Sequence, residues 1–499
     1  MRTPSIYSQD DPLSEALKPP ESETELERRA RLEQEAEAKR VSEQIDEELR
    51  QERESLKRKR GDVKLLLLGQ AESGKSTLQR QFQLMYKPHS LEQERASWRT
   101  VIYFNVVRSI KHILSTLESW DDYIDDDAAF DSPTSKYLGG PRSGTSSPVI
   151  MNPTLENSGA HSRSGSPFQG NAAAASRSTI GSLRRRLSPL VTADAALADR
   201  LSGGITVSGS GKGGVFVRSG WQARTIENAL GRKRGRISEE PGLKKPDDIQ
   251  DALVQDVSHM LDVSKDDIRE LWAHPTVKGL IARRRLKLDE WSEFFLRHIT
   301  RVAASNYIPS TDDILHARIQ TMGVAEHVFD VNIHGKSVSW HLFDVGGARG
   351  QRHTWVPYFD DANAIIFVAP VSAFDQEDPR TNRIDDSLQL FTQICSSPLL
   401  KNAHLVLFLN KTDLLRSKLD SGLRVQKYIT SFGERSNDYE TIVQYFRAHF
   451  LQVHRRNNEN RRVLYTHFTS VVDTKATQRI IGNVRDSIFR GYLQSAALV

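Results

Sequence analysis

Residues 63–86 read VKLLLLGQAESGKSTLQRQFQLMY, and three kinds of local structure follow one another within them. Val63 to Leu68 is an unbroken apolar run, the pattern of a parallel strand buried on both faces. Gly69-Gln70-Ala71-Glu72-Ser73-Gly74-Lys75-Ser76 then matches G-x-x-x-x-G-K-S, and TLQRQFQLMY continues as a helix from Thr77. Strand, loop and helix in this order are what the motif needs to work. The loop N–H groups and the helix N-terminus point at phosphate oxygens. Lys75 supplies positive charge to β- and γ-phosphates, and the Ser76 hydroxyl is a ligand for Mg²⁺.

Working downstream, a second strand is expected over Val338 to Phe343, followed by Asp344-Val345-Gly346-Gly347. Asp344 is placed to hold Mg²⁺ through water, and Gly347 lets its backbone N–H approach a γ-phosphate. A third strand, Leu405 to Leu409, runs into Asn410-Lys411-Thr412-Asp413. A carboxylate at Asp413 accepts from guanine N1–H and the 2-amino group together, a pair that adenine does not offer. Alone, each motif is weak. In this order, each after a strand, they point to a guanine nucleotide with Mg²⁺. Ala364 to Ala369 and Val463 to Phe468 add strands, so the expected fold class is α/β: a parallel sheet with flanking helices and its site at the strand carboxyl ends.

The remaining sequence is more polar. At 499 residues roughly three domains are expected, with 38% hydrophobic and 27% charged residues. No run reaches the roughly 18 apolar residues of a membrane span, and no apolar leader opens the sequence, so an integral membrane or secreted protein is not expected. The one cysteine, Cys395 in LFTQIC, excludes a disulfide framework and reads as a buried helix residue. Between Ser132 and Lys245 there are 17 Lys and Arg against 6 Asp and Glu, more than the whole excess of +5. With SGTSSP, SRSGSP and LSGGITVSGSGKGG inside it, the segment 122–249 reads as mostly disordered. Arg232, Lys233, Arg234 and Arg236 read as a solvated basic loop rather than a nucleic-acid patch, so no specific nucleic acid is expected. Glu21 to Arg60 alternates acids and bases at helical spacing. Its thin stripe of Leu26, Ala30, Val41, Ile45, Leu49 and Leu56 fits either a solvated helix or a partner-docking one. Arg283 to Arg285 read as a solvated helix face.

With these motifs assembled, the chain resembles a heterotrimeric G-protein α subunit of fungal type. The resemblance rests on KLLLLGQAESGKST, DILHARIQTMG, FDVGGARGQRHTW, EDPRTNRIDDS, FLNKTDLL and FTSVVDT, and covers about 60–120 and 255–499. It implies a P-loop GTPase domain with an inserted all-helical domain. The parts are a charged N-terminal extension (1–60), a first GTPase portion (61–88), a helical domain (89–313) and a second GTPase portion (314–499). IRELWAHPTVKGLIARRRLKLDEWSEFFL resembles that helical domain, whose long first helix is expected over Leu91 to Trp120. GTP or GDP with Mg²⁺ is the implied ligand, held by Glu72, Ser73, Gly74, Lys75, Ser76, Thr77, Leu315, Arg318, Thr321, Gly347, Asn410, Lys411, Asp413 and Val471. Ser76, Thr321 and Asp344 are the implied metal set. Arg318 and Lys75 are the implied catalytic residues, Arg318 as an arginine finger in cis. The implied partners are a βγ dimer at the N-terminal helix and second switch, a seven-helix receptor at the C-terminus and a downstream effector. The implied place is the cytoplasmic face of the plasma membrane.

Several positions depart from the family pattern. Ala348 follows Gly347 where the family has the glutamine that orients water, and Ala71 replaces a glycine beside the γ-phosphate. Both fall on hydrolysis and neither on binding, so slow GTP turnover is expected, with a GTP-bound scaffold as the alternative. Gln351, three residues on, is a possible substitute. Ser470-Val471-Val472 replaces the usual Cys-Ala-Thr, and the loop at Phe374 to Asp378 reads as a few residues short. Arg2 after Met1 gives no N-myristoylation signal, and no cysteine near the N-terminus offers a palmitoylation site. Membrane association is then expected through partners.

Overall fold

The computed structural model describes residues 24–59, 62–130, 167–202, 216–217, 221, 252–333, 335–377, 381–458 and 462–495. Backbone contacts divide the chain into two units, Met1–Asp62 with Ile333–Ser339, and Val63–Asn332 with Trp340–Val499. In the first unit, α1 (Glu25–Lys59) is the long helix that the charge alternation predicts. Arg40 pairs with Glu37 and Arg50 with Glu47, each worth only a few tenths of a kcal/mol. Leu32, Val41 and Ile45 stand exposed on it.

The second unit holds most of a six-stranded sheet in the order β4-β5-β1-β6-β7-β8, residue 333 at the end of β4 and 336–339 at the start of β5 being counted in the first. Its strands are β1 (Val63–Leu68), β4 (Val324–Ile333), β5 (Lys336–Val345), β6 (Ala364–Pro370), β7 (His404–Asn410) and β8 (Leu464–Thr469); β2 (Phe216–Val217) and β3 (Gln320–Thr321) pair separately. β1 lies parallel between β5 and β6, and β6–β7 and β7–β8 are parallel as well. The link from β4 to β5 is too short for a crossover, so β4 is an antiparallel edge to an otherwise parallel sheet. Register brings the strand ends level, with Leu67 beside Asp344, Pro370 beside Asn410 and Asn410 beside Thr469. All the motif loops therefore leave the sheet on one side.

Two hydrophobic cores form within this unit. One packs β1, β6 and β7 under helices Arg383–Ser396 and Tyr439–Asn457, and includes Cys395, whose thiol burial pushes up to about 12. The other is built mainly from helices, with Val217 of β2 among its buried residues, and here the structure corrects the expectations. The predicted disorder over 122–249 fails at α5 (Pro167–Ser202), whose Ile180, Leu183, Leu187, Leu190, Ala193, Leu197 and Leu201 are buried in that core. These residues recur at three- and four-residue steps, a periodicity that the segment's average composition conceals. Trp221 packs edge-on against Trp98 in the same core. The basic cluster at 232–236 lies outside the described residues. The expected helix over Leu91 to Trp120 is two, α3 (Pro88–Glu94) and α4 (Trp98–Phe130), separated at 95–97. Arg283 to Arg285 are not a helix face. They follow the end of the helix Pro275–Ala282, where Arg284 takes φ 58° and reaches Tyr428 and Asp375.

Candidate functional site

The phosphate-loop backbone demands its glycines. Gly69 has φ 140°, and a Cβ there would meet the Val368 carbonyl at 2.3 Å; Gly74 has φ 105°, and a Cβ would meet Asn410 Nδ2 at 2.3 Å. Gly74 caps the helix α2 (Lys75–Tyr86), so the helix N-terminus opens onto the loop. Lys75 is buried, with Nζ donating to the Gly69 carbonyl (2.9 Å) and the Gln70 carbonyl (2.7 Å). Burial pushes its ammonium down to about 8, against the attraction of Asp344. Gly347 meets the loop from the β5 side. A Cβ on it would lie 2.5 Å from both Ala71 N and Lys75 Nζ, and its carbonyl accepts from Ala71 N–H at 3.0 Å.

Three hydroxyl and carboxylate groups converge beside Lys75. Ser76 Oγ donates to Asp344 Oδ2 at 2.6 Å, Thr321 Oγ1 donates to the same oxygen at 2.9 Å, and the two hydroxyls lie 2.9 Å apart. The second Asp344 oxygen is buried without a partner. This is the metal set that the resemblance implied. Among the described residues no group of three or more His, Cys, Asp or Glu gathers.

The guanine loop is tied to the phosphate loop by Asn410. Fully buried, it donates from Nδ2 to the Ser73 carbonyl (2.8 Å) and accepts at Oδ1 from Thr469 Oγ1 (3.0 Å) and Val471 N–H (3.2 Å). One side chain thus joins the phosphate loop, the end of β8 and the backbone of Val471. Lys411 takes φ 65° and its Nζ pairs with Glu290. Asp413 sits exposed in the first turn of the helix Thr412–Asp420. Thr77 is half-buried on α2, and Leu315 is buried in the short helix Thr311–His316 that leads to Arg318.

Arg318 is held twice, by Glu72 Oε1 at 2.5 Å and by Asp289 Oδ2 at 2.9 Å. Burial alone would raise the Glu72 carboxyl, but Arg318, Arg383 and Lys411 outweigh it and hold it below the usual range. Asp289 is raised by its burial despite Arg318. The backbone of Arg318 is clamped by Asn105, which accepts its N–H at 2.8 Å and donates to its carbonyl at 3.1 Å. Asn105, Asp289, Glu290, Gln70 and Arg383 were not foreseen. Gln70 Oε1 accepts from Arg383 Nε at 2.9 Å, which braces the loop against the helix Arg383–Ser396. One signal was readable: Asn105 is the lone polar residue in VIYFNVV, a stretch that is otherwise core.

A family model described as G-protein alpha subunit matches residues 39–488. The guanine nucleotide-binding protein alpha-4 subunit of Mycosarcoma maydis is 31% identical, covering 100% of this chain and 97% of that protein. The G(o) subunit alpha of Geodia cydonium is 25% identical over 93% of this chain and 98% of its own length. The G(s) subunit alpha of Schistosoma mansoni is 35% identical over 46% of this chain and 64% of its own. Coming on top of a phosphate loop, a Ser-Thr-Asp cluster and a guanine loop at one edge of one sheet, with a helical core before Arg318, these matches establish that the chain belongs to the G-protein alpha subunit family.

Proposed function

We propose that the chain is a Mg²⁺-dependent GTP switch in receptor-coupled signalling whose hydrolysis step is slow. Family membership supports guanine-nucleotide binding and GTPase chemistry in general. The observation that carries the reading is the meeting of Ser76, Thr321 and Asp344 at 2.6 to 2.9 Å, next to Lys75 on the loop that Asn410 ties to the guanine side. Two hydroxyls and one carboxylate, with a buried Asp344 oxygen still to be satisfied, suit a small hard cation that takes its other ligands from water and phosphate. When bound, the metal supplies charge to the β- and γ-phosphate oxygens. Lys75 regains its full charge against those oxygens. Arg318, released from Glu72 or Asp289, neutralises charge that develops on the transferred group.

Ala348 and Ala71 support slow turnover. A methyl neither accepts from water nor donates to the transition state, and loss of one positioning contact of this kind costs on the order of 10² in rate. The same two residues favour a second reading, a GTP-bound scaffold with negligible hydrolysis. The βγ dimer is assigned to α1 and the region after Gly347, the receptor to the C-terminus (496–499 lie outside the described residues), and an effector to the GTP-bound form. We place the protein at the cytoplasmic face of the plasma membrane, held there by its partners. Among the described residues no helix is long and apolar enough to cross a membrane.

Calorimetry with GTP and ATP in magnesium tests the reading: Lys75→Ala and Asp413→Asn are expected to abolish GTP binding. Equal binding of ATP and GTP, or unaltered GTP affinity in both variants, would remove it. Single-turnover hydrolysis is expected to rise about a hundredfold in Ala348→Gln. No rise at all would refute the account of slowness, while no phosphate released by the parent chain would leave the scaffold.

A further inference from the structure

Ala348 leaves the water side of the site without a polar group, yet one turn further on the structure puts one back. Ala348 caps a 3₁₀ helix, Arg349–Tyr358, and the Gln351 N–H donates to the Ala348 carbonyl at 2.9 Å. Three residues make one turn of such a helix, so residue 351 stacks over residue 348. From there the Gln351 carboxamide folds onto the glycine pair. A Cβ placed on Gly346 would lie 1.9 Å from Gln351 Oε1 and 2.9 Å from the Thr321 carbonyl oxygen. Two acceptors therefore face one point, and the next residue is Gly347, where an added Cβ would lie 2.5 Å from Ala71 N and from Lys75 Nζ. Gln351 Oε1 is buried and has no hydrogen-bond partner. A buried acceptor left unmade carries its full desolvation cost, and a water molecule donating to it removes that cost.

The turn that carries Gln351 is anchored on both flanks. Arg352 pairs with Asp386 at 2.6 Å and Arg349 pairs with the same carboxylate at 3.0 Å. Burial would raise Asp386, but these two guanidinium groups hold it below the usual carboxylate range. On the other side Trp355 Nε1 donates to the Gly346 carbonyl at 2.9 Å. The turn that places the carboxamide over Gly346 is thus held by neighbours that do not depend on the Gln351 side chain.

We propose that Gln351 is the water-positioning residue of this chain, acting from one helical turn beyond Ala348. The inference rests on the GTPase reading above and deepens it. In the step, a water donates one hydrogen bond to Gln351 Oε1 and its oxygen attacks the γ-phosphorus. The new P–O bond forms as the bond from the γ-phosphorus to the β–γ bridging oxygen breaks, and that electron pair leaves on GDP. The water's proton passes to the inorganic phosphate, so Gln351 gains and loses nothing. A residue reaching in from a turn away orients water less well than one at position 348, so hydrolysis is expected to be slow but measurable.

Gln351→Met tests this on the full-length chain, because it keeps length and packing and removes the acceptor. Expected results are unchanged binding of a fluorescent GTP analogue, single-turnover hydrolysis down at least tenfold, and weaker capture of fluoroaluminate by the GDP·Mg²⁺ form, read from tryptophan emission. Adding Ala348→Gln to that variant is expected to restore hydrolysis to the parent rate or above. Hydrolysis and fluoroaluminate capture at parent level in Gln351→Met would overturn the proposal. So would a loss that Ala348→Gln fails to rescue, which would assign Gln351 a structural role. Absence of GTP binding in the parent chain would instead overturn the GTPase reading itself.

Discussion

At Lys75, the burial that shapes a tight phosphate cradle works against the charge that the cradle needs. The ammonium sits near 8 rather than its ordinary 10.5 because it has lost its water. Phosphate oxygens restore the charge, so nucleotide binding between pH 8 and 10.5 takes up a proton, and affinity falls as pH rises through that window. The sign for folding is opposite: without nucleotide, the depressed value makes the chain gain stability as pH rises from about 8 toward 10.5. Calorimetry in two buffers of different ionisation heat reads the uptake directly, and a buffer-independent binding heat at pH 9 would contradict the assignment. Gly74 is a sharper case. Any side chain there strains a φ of 105° and strikes Asn410, so Gly74→Ala is expected to lose GTP binding while the helical core stays folded.

Among the elements, α5 carries the largest departure from expectation. Seven buried residues at helical spacing make it a wall of the mainly helical core, although it lies inside a stretch whose Ser, Gly and Arg content reads as unable to fold. Leu187 is fully buried, and Leu187→Ala is expected to cost about 2–5 kcal/mol, seen as a lower thermal midpoint in circular dichroism. A midpoint unchanged from the parent would mean that the helix is not packed there. The 3₁₀ helix after Ala348 shows the converse. Its pattern has no clear amphipathic period, but Arg349, Arg352 and Trp355 each find a fixed partner, and those contacts hold the turn in place.

Across the whole second unit, the sheet and the helical core meet at the site. Arg80 on α2 is buried, donates to the carbonyls of Ile314 (2.6 Å) and Ala317 (2.9 Å), and lies 4.2 Å over the Trp98 ring. Lys411 pairs with Glu290, Arg318 with Asp289 at 2.9 Å, and Arg284 with Asp375 at 3.6 Å. These pairs are partly exposed, so each contributes only about 0.2–1 kcal/mol. They bridge the two cores around the candidate site. Glu290→Ala is therefore expected to speed GDP release about two- to five-fold, measured by chasing a fluorescent GDP analogue, with little change in thermal midpoint. Release at the parent rate would show that the pair does not restrain opening.

The phosphate loop, the Asp344 turn and the Asn410 to Asp413 loop were legible from residue order alone, because each needs particular side chains at fixed short spacings just after an apolar strand. Their alignment on one sheet edge follows from parallel pairing, and that too was foreseeable. What the tertiary structure alone decided were contacts between residues far apart in the chain: Asn105 on Arg318, Glu290 on Lys411, Arg383 on Gln70, and Gln351 folded back over Gly346. No local pattern encodes those, since each partner is set by how two cores and a 3₁₀ turn pack. The burial of α5 belongs with them, because a helix rich in Ser and Arg is stable only where another helical surface covers its apolar stripe.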